Sequence, residues 1–293
     1  MDRYKKVIDE SNVPVDKEFI KKELEKISEK LDEFRNPEVY AQIFNCIDLT
    51  TLNTTDSQQS VAGFIQRVND FDNEYPQYPN VAAVCVFSNF AGLVRSALEV
   101  SDVNIAVVAG GFPSGQTFTE VKVADAALAV AEGANEVDVV MNLGMLFDGA
   151  YEELCDELIE VKHAIKDAKL KVIIESGALK EPEQIRNASI LAMYSDADFI
   201  KTSTGKVYEG ASPEAAYVMC RCIREYYEKT GRKVGFKAAG GVRSSDEAIL
   251  YYAIVKEVLG DEWLNNSLFR IGASSLANAI FAKMIDEAEV KYF

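Results

Sequence analysis

One histidine in 293 residues leaves little room for several chemistries. A His-based metal site or a Ser-His-Asp relay needs more imidazole than His163 supplies. His163 lies in "VKHAIKD", a helical surface pattern, and reads as solvent-facing. Positive charge is also scarce: 31 Lys and Arg stand against 47 Asp and Glu, a net charge of −16. Such a chain repels phosphate backbones and anionic membrane surfaces, which argues against non-specific nucleic-acid binding. An anionic substrate would need a local positive site built against the protein's own field. No apolar run is long enough to span a bilayer, and the polar, charged N-terminus does not read as a signal peptide. The five cysteines are odd in number, and no pair has zinc-knuckle or redox spacing. Cys46 and Cys85 lie in apolar runs, and Cys220 and Cys222 sit two apart on a helix, where they do not face each other. This usage fits a reducing, cytoplasmic compartment. Missing too are a Gly-x-Gly-x-x-Gly fingerprint, where "CIDLTTLN" stands instead, and a Walker-type ending to "GGFPSGQT". A doubly wound sheet is therefore the second choice of fold.

What is present is a chain that is 48% hydrophobic, enough for a large core. Residues 1–40 differ from the rest. Ile20, Leu24, Ile27, Leu31 and Phe34 recur at spacings of four and three amid Lys and Glu, an amphipathic helix with a short coiled-coil-like stripe. Packing against the body of its own chain is the expected fate of that stripe, and an oligomer contact is the alternative. We read 1–40 as a helical extension and 41–293 as a catalytic domain.

From residue 41 a rhythm begins. Apolar runs stand at "IFNCID" (43–48), "VAAVCVF" (81–87), "NIAVVA" (104–109), "EVDVVMN" (136–142), "KVIIES" (171–176), "DFIKTS" (198–203), "VGFKAA" (234–239) and "LFRIGA" (268–273). They are nearly continuous rather than alternating, as expected of parallel strands covered on both faces. Helical patterns separate them, with Gly133 and Gly231 as stops and Asp156 and Ser212-Pro213 as start signals. Eight strand–helix units predict an α/β fold, a (β/α)8 TIM barrel with an N-terminal helical extension.

Chemistry in such barrels gathers at the C-terminal ends of the strands. There the sequence sets Asp48, Asp138, Glu175, Lys201 and Lys237, each interrupting an apolar run. Lys237 follows Lys201 by 36 residues, one strand–helix unit, so their strands should be neighbours. Two buried ammonium groups side by side depress each other's pKa, and a neutral amine attacks carbonyls to form a Schiff base. The bland alternative is a structural ion pair, with Asp138 neutralising one lysine.

Glycine-rich segments "TSTGK", "AAGGVRSS" and "GASS" follow the last three strands. Loops there often bind phosphate through backbone amides and a helix N-terminus. Ser274 and Ser275 add hydroxyls, and Lys206 and Arg243 add charge. The alternative is that these are tight turns and helix caps only.

The segments "DLTTLN", "EVDVVMN", "KVIIESGALK", "DFIKTSTGKV", "VGFKAAGGVRS" and "FRIGASS", in this order over about 43–280, resemble the motifs of deoxyribose-phosphate aldolases. The resemblance implies a metal-free, cofactor-free lyase that cleaves 2-deoxy-D-ribose 5-phosphate to D-glyceraldehyde 3-phosphate and acetaldehyde. It implies Lys201 as the Schiff-base lysine, Lys237 as the lysine that tunes it, Asp138 as the acid of the proton relay and Asp48 as a polar partner. It assigns substrate and phosphate contacts to Thr50, Thr204, Gly205, Lys206, Gly240, Gly241, Arg243, Gly272, Ser274 and Ser275. Ala238 and Ser176 replace a Pro and a Thr of some members. Some members also use a C-terminal tyrosine for proton transfer; Tyr292 is the candidate, although a floppy tail is the simpler reading. Competing readings are a transaldolase-like enzyme or isomerase on the same barrel, or a non-catalytic sugar-phosphate sensor. The expected partners are small sugar phosphates and aldehydes, with a homodimer as the expected assembly.

Overall fold

The computed structural model describes residues 3–293. Eight parallel strands close into a barrel: β1 (Ile47–Thr50), β2 (Ala83–Phe87), β3 (Asn104–Ala109), β4 (Glu136–Val140), β5 (Lys169–Ile173), β6 (Phe199–Lys201), β7 (Gly235–Ala239) and β8 (Phe269–Ala273). Each pairs with its neighbours in the chain, and β8 returns to β1 through Asp48↔Gly272. Three helices precede the barrel: α1 (Arg3–Asp9), α2 (Lys17–Ser28) and α3 (Pro37–Phe44). The outer ring is α4 (Gln58–Glu74), α5 (Ala91–Ala97), α6 (Thr119–Ala131), α7 (Leu143–Asp148), α8 (Tyr151–Ile165), α9 (Ser176–Leu179), α10 (Pro182–Tyr194), α11 (Pro213–Thr230), α12 (Ser245–Leu259) and α13 (Leu276–Met284). No described helix is long and apolar enough to cross a membrane.

Alternation along the strands sorts two interiors. Ile47, Leu49, Val84, Val86, Val107, Val137, Val139, Ile200 and Phe236 point outward into the main core beneath the helices. Their sequence neighbours point into the barrel. On β2 and β3 those neighbours are apolar, and Ala83, Cys85, Ala106 and Val108 form a small cluster with Leu52. On the other six strands they include Asp48, Glu136, Asp138, Lys171, Lys201, Lys237 and Arg270, all buried. All five cysteines are buried, and none forms a disulfide among the described residues.

The stripe on residues 1–40 packs on its own chain. Ile20, Leu24 and Ile27 are buried, α2 lies against α11 and α12, and Phe34 meets Tyr252 edge-on at 5.5 Å. The helix is shorter than expected: it stops at Ser28, and Leu31–Phe34 is a separate 3-10 turn.

Three further expectations need correction. The run 43–48 is only partly strand. Ile43 and Phe44 end α3, whose start is set by Asn36, accepting from Val39 N, and by Pro37 in the first turn. A short apolar run looks alike in a buried helix and a buried strand. Asp156 lies inside α8; Glu152 and Glu153 occupy its first turn instead. The C-terminal tail is docked, not floppy. Asn278 Oδ1 accepts from the amides of Tyr292 (2.8 Å) and Phe293 (2.9 Å), and both rings pack on Phe71.

Candidate active site

Lys201 is the last residue of β6 and pairs across the ladder with Lys237 of β7, so both side chains enter the barrel at one height. Asp48 and Asp138 lie inside the strands rather than at their ends, as second and third residues of β1 and β4. They therefore sit under the lysines and rise to meet them. Asp138 Oδ2 accepts from Lys201 Nζ and from Lys237 Nζ, each at 2.8 Å. Lys237 Nζ also donates to Asp48 Oδ2 at 2.5 Å.

A deeper layer supports these groups. Lys171 Nζ lies 3.0 Å from Asp138 Oδ1, 3.3 Å from Asp48 Oδ2 and 2.5 Å from Glu136 Oε2. Arg270 Nη1 donates to Asp48 Oδ1 (2.5 Å) and Glu136 Oε2 (3.0 Å), and Nη2 to Glu136 Oε1 (2.8 Å). Arg270 also lies over the Phe199 ring, 5.7 Å from its centroid, and Gly235 opposite leaves that ring its space. Among the described residues no buried side-chain nitrogen or oxygen lacks a hydrogen-bond partner. Burying this many charges is tolerable only with such complete pairing, since removing one partner of a buried pair costs about 3–5 kcal/mol.

The lysines differ in ionisation. Burial, with the charge of Lys237, pulls Lys201 below the ordinary lysine range, and Asp138 offsets this only in part. Burial acts on Lys237 as well, but Asp138 and Asp48 together outweigh it and hold that lysine protonated. Lys171 is raised likewise, burial being outweighed by Asp138, Asp48 and Glu136. Burial would raise Asp138, yet Lys171, Lys201 and Lys237 hold it well below the carboxylate range. Asp48 is lowered in the same way, by Lys171, Lys237 and Arg270. The arrangement sets a lysine of lowered pKa beside an ionised carboxylate and a lysine of raised pKa.

Above Lys201, which is only 3% exposed, opens a cavity of about 250 Å³. Thr50, Thr204, Gly205, Lys206, Gly240, Gly241, Arg243, Gly272, Ser274 and Ser275 all line it, together with Lys201. The loops fit closely because side chains are absent between them. A Cβ on Gly210 would stand 2.0 Å from Gly240 O, and one on Gly240 would stand 3.1 Å from Gly205 Cα. Gly240 and Gly241 also hold φ of +84° and +86°, a region open to glycine. α13 begins directly after Ser275 on the cavity wall, which sets a helix N-terminus beside the cavity, as where helices receive anions. Lys206 Nζ donates to Leu52 O at 2.5 Å across the mouth.

Glu175, grouped in the sequence with the strand-end charges, does not join them. It lies two residues past β5 with φ of +51°, and it accepts from Thr204 N (3.1 Å) and Thr204 Oγ1 (2.6 Å). It braces the turn after Lys201. Tyr292 is not brought to the site; its hydroxyl donates to Glu74 at 3.1 Å. Sequence reading missed Glu136, Lys171 and Arg270. Lys171 and Arg270 interrupt apolar runs as Lys201 and Lys237 do, whereas Glu136 opens its strand, and only the convergence of the strands joins the three to the site.

The model of the DeoC/LacD family of aldolases matches residues 43–280. A human protein named deoxyribose-phosphate aldolase is 39% identical over 256 residues, covering 84% of this chain and 80% of its own. Its mouse (Mus musculus) counterpart is 40% identical over 260 residues, with the same coverage. The fold is shared with a deoxyribose phosphate aldolase from Aeropyrum pernix, described as a unique tetramer. That match has a TM-score of 0.65 and 24% identity, covering 87% of this chain and 95% of that one.

Proposed function

The chain belongs to the DeoC/LacD family of aldolases, and from that premise we propose that it cleaves 2-deoxy-D-ribose 5-phosphate, reversibly, through an imine on Lys201. The observation that carries the assignment is geometric: two adjacent lysines share one carboxylate oxygen, only Lys237 has a second carboxylate, and Lys201 forms the cavity floor. A neutral amine at the floor of a cavity is the nucleophile such a reaction needs.

In this reading Lys201 attacks C1 of the open-chain aldehyde. Asp138, acting through a water molecule, passes protons as the carbinolamine loses water, which leaves a protonated imine. Loss of the C3 hydroxyl proton then breaks the C2–C3 bond. The bonding pair moves into the imine, giving an enamine on Lys201 and free D-glyceraldehyde 3-phosphate. Protonation of the enamine carbon and hydrolysis release acetaldehyde and restore the amine. Lys237 stays charged and keeps Lys201 uncharged. Asp48 holds Lys237 in place. The glycine loops after β6, β7 and β8, with Lys206, Arg243, Ser274 and Ser275, receive the phosphate, while Thr50 and Thr204 line the path between.

The test is chemical. Acetaldehyde with borohydride should leave an ethyl group on Lys201. No adduct, or an equal adduct in Lys201→Ala, would sink the assignment and favour an isomerase, which needs no imine. Direct measurement of acetaldehyde release separates turnover from mere binding.

We also propose that residues 1–40 form an extension to a catalytic domain at 41–293, that the protein works in the reducing cytoplasm, and that it forms a homodimer through α6. At and just before that helix Phe118 (77% exposed), Val121 (49%) and Leu128 (66%) stand out to solvent with Ala124 and Ala131, and Asp125 and Glu132 lie on the same side. Exposed apolar side chains of this size suit a contact between copies of the chain, with the two-fold axis keeping the acids of the two copies apart. A two-fold axis at the middle of α6 would set Phe118 of one copy opposite Ala131 of the other. There a hollow edged by Leu128, Ala129 and Glu132 can receive the ring.

A further inference from the structure

We infer that Glu136, Lys171 and Arg270, none of which lines the cavity, are positioning residues that set the charge of Lys201 from below. They complete a buried count that balances only when Lys201 is an uncharged amine. The inference rests on the reading of Lys201 as the imine-forming group.

The argument is one of occupancy. Three carboxylates, Asp48, Glu136 and Asp138, present six oxygens inside the barrel. Arg270 takes Asp48 Oδ1 and both oxygens of Glu136. Lys171 takes Asp138 Oδ1, and it shares Asp48 Oδ2 and Glu136 Oε2. Lys237 takes Asp48 Oδ2 and Asp138 Oδ2. Every oxygen is thus met without Lys201. Three cations already match three anions. Lys201 arrives as a fourth base on an oxygen that Lys237 already holds.

The remaining neighbours do not alter this count. β2 contributes Cys85, whose buried thiol is pushed up and stays neutral. β3 contributes Ala106 and Val108. Lys169 approaches Glu136 only to 3.8 Å from a partly exposed position, where water screens it. At the mouth stand one charge of each sign, Glu175, which accepts from Thr204, and Lys206, which donates to Leu52 O, and neither forms an ion pair with the groups inside the barrel, so together they leave the count unchanged. An ammonium on Lys201 would therefore leave one unmatched positive charge in the barrel. Burial penalises that state, and it is relieved by releasing the proton.

The sign of each change follows. Lys171→Met removes a cation, so the excess negative charge draws a proton onto Lys201. The acidic limb of imine formation then moves to higher pH. Glu136→Gln removes an anion and moves the limb to lower pH. Each shift should be about one to two pH units, the size expected for one charge roughly 6–12 Å away at an effective dielectric constant near 20. The double variant restores the balance and should return the limb towards its starting position. Lys171→Arg keeps the charge and should leave it in place.

The readout is the rate at which acetaldehyde and cyanoborohydride alkylate Lys201 across pH, with circular dichroism confirming the fold. A purely structural role would lower the rate at every pH without moving the limb, and the double variant would be worse than either single one. That outcome overturns the inference. If Lys171→Met fails to fold, the near-isosteric Glu136→Gln carries the test in the opposite direction, and an unmoved limb there overturns it equally. If the parent protein forms no adduct at any pH, the imine reading falls and takes this inference with it. An adduct with an unmoved limb defeats this inference alone.

Discussion

Lys201 and Lys237 face each other across adjacent strands and donate to the same atom, Asp138 Oδ2, each from 2.8 Å. One oxygen between two amines is a poor counter-ion for two charges. The lysine with a second carboxylate, Asp48, has its pKa raised, and the other, held by Asp138 alone, has its pKa lowered by burial and by the charge of Lys237.

Asp138→Asn should retain the barrel but lower turnover by about 10²–10⁴-fold, the usual worth of a positioned acid–base group. Acetaldehyde release in the steady state measures it. A loss below about tenfold would remove Asp138 from the proton relay.

Lys237→Leu deletes the charge that opposes protonation of Lys201. The pKa of Lys201 should rise, and the acidic limb of kcat/KM should move to higher pH. An unmoved limb would leave Lys237 without its tuning role.

Ser274→Asp sets a carboxylate on the cavity wall. Repulsion of a phosphate there should raise KM for the phosphorylated sugar by about tenfold or more, because like charges in contact cost several kcal/mol. KM for unphosphorylated 2-deoxyribose should change little. Equal effects on both sugars would place the phosphate elsewhere.

Stability should carry the mark of Lys201. Its folded pKa lies below the unfolded value, so over that window the unfolded chain binds more protons and stability rises with pH. The lowered carboxylates act differently: their contribution is complete above about pH 4 and is lost as acid protonates them. Lys201→Met should therefore lose the share of that rise that Lys201 contributes, Lys169 keeping its own, and melt no lower than the parent at neutral pH. Thermal midpoints across pH measure this. A lower midpoint with the rise intact would contradict it.

Leu128→Glu on α6 should halve the mass seen by sedimentation while leaving turnover largely intact, since no residue of α6 lines the cavity above Lys201. A parent that sediments as a monomer, or a variant that stays dimeric, would reject α6 as the contact.

The barrel was legible in the sequence because parallel strands covered on both faces write themselves as apolar runs, eight times over. Lys201 and Lys237 were legible because they break such runs. What escaped was set by contacts between distant segments. Glu136, Lys171 and Arg270 have meaning only once β4, β5 and β8 converge. Glu175 parts from the other acids because the chain turns left-handed there, which no residue type announces outside glycine. The docking of Tyr292 depends on Asn278, a helical residue whose amide serves as a latch. Ile43 and Phe44 were misread because helix and strand bury short apolar runs alike.

The barrel's interior is lopsided: six strands supply its charges, and β2 and β3 supply only Ala83, Cys85, Ala106 and Val108. Ionised groups therefore reach Lys201 from one flank only, while the other presents small apolar side chains and a neutral thiol, so that anything held at Lys201 meets one polar side and one apolar side.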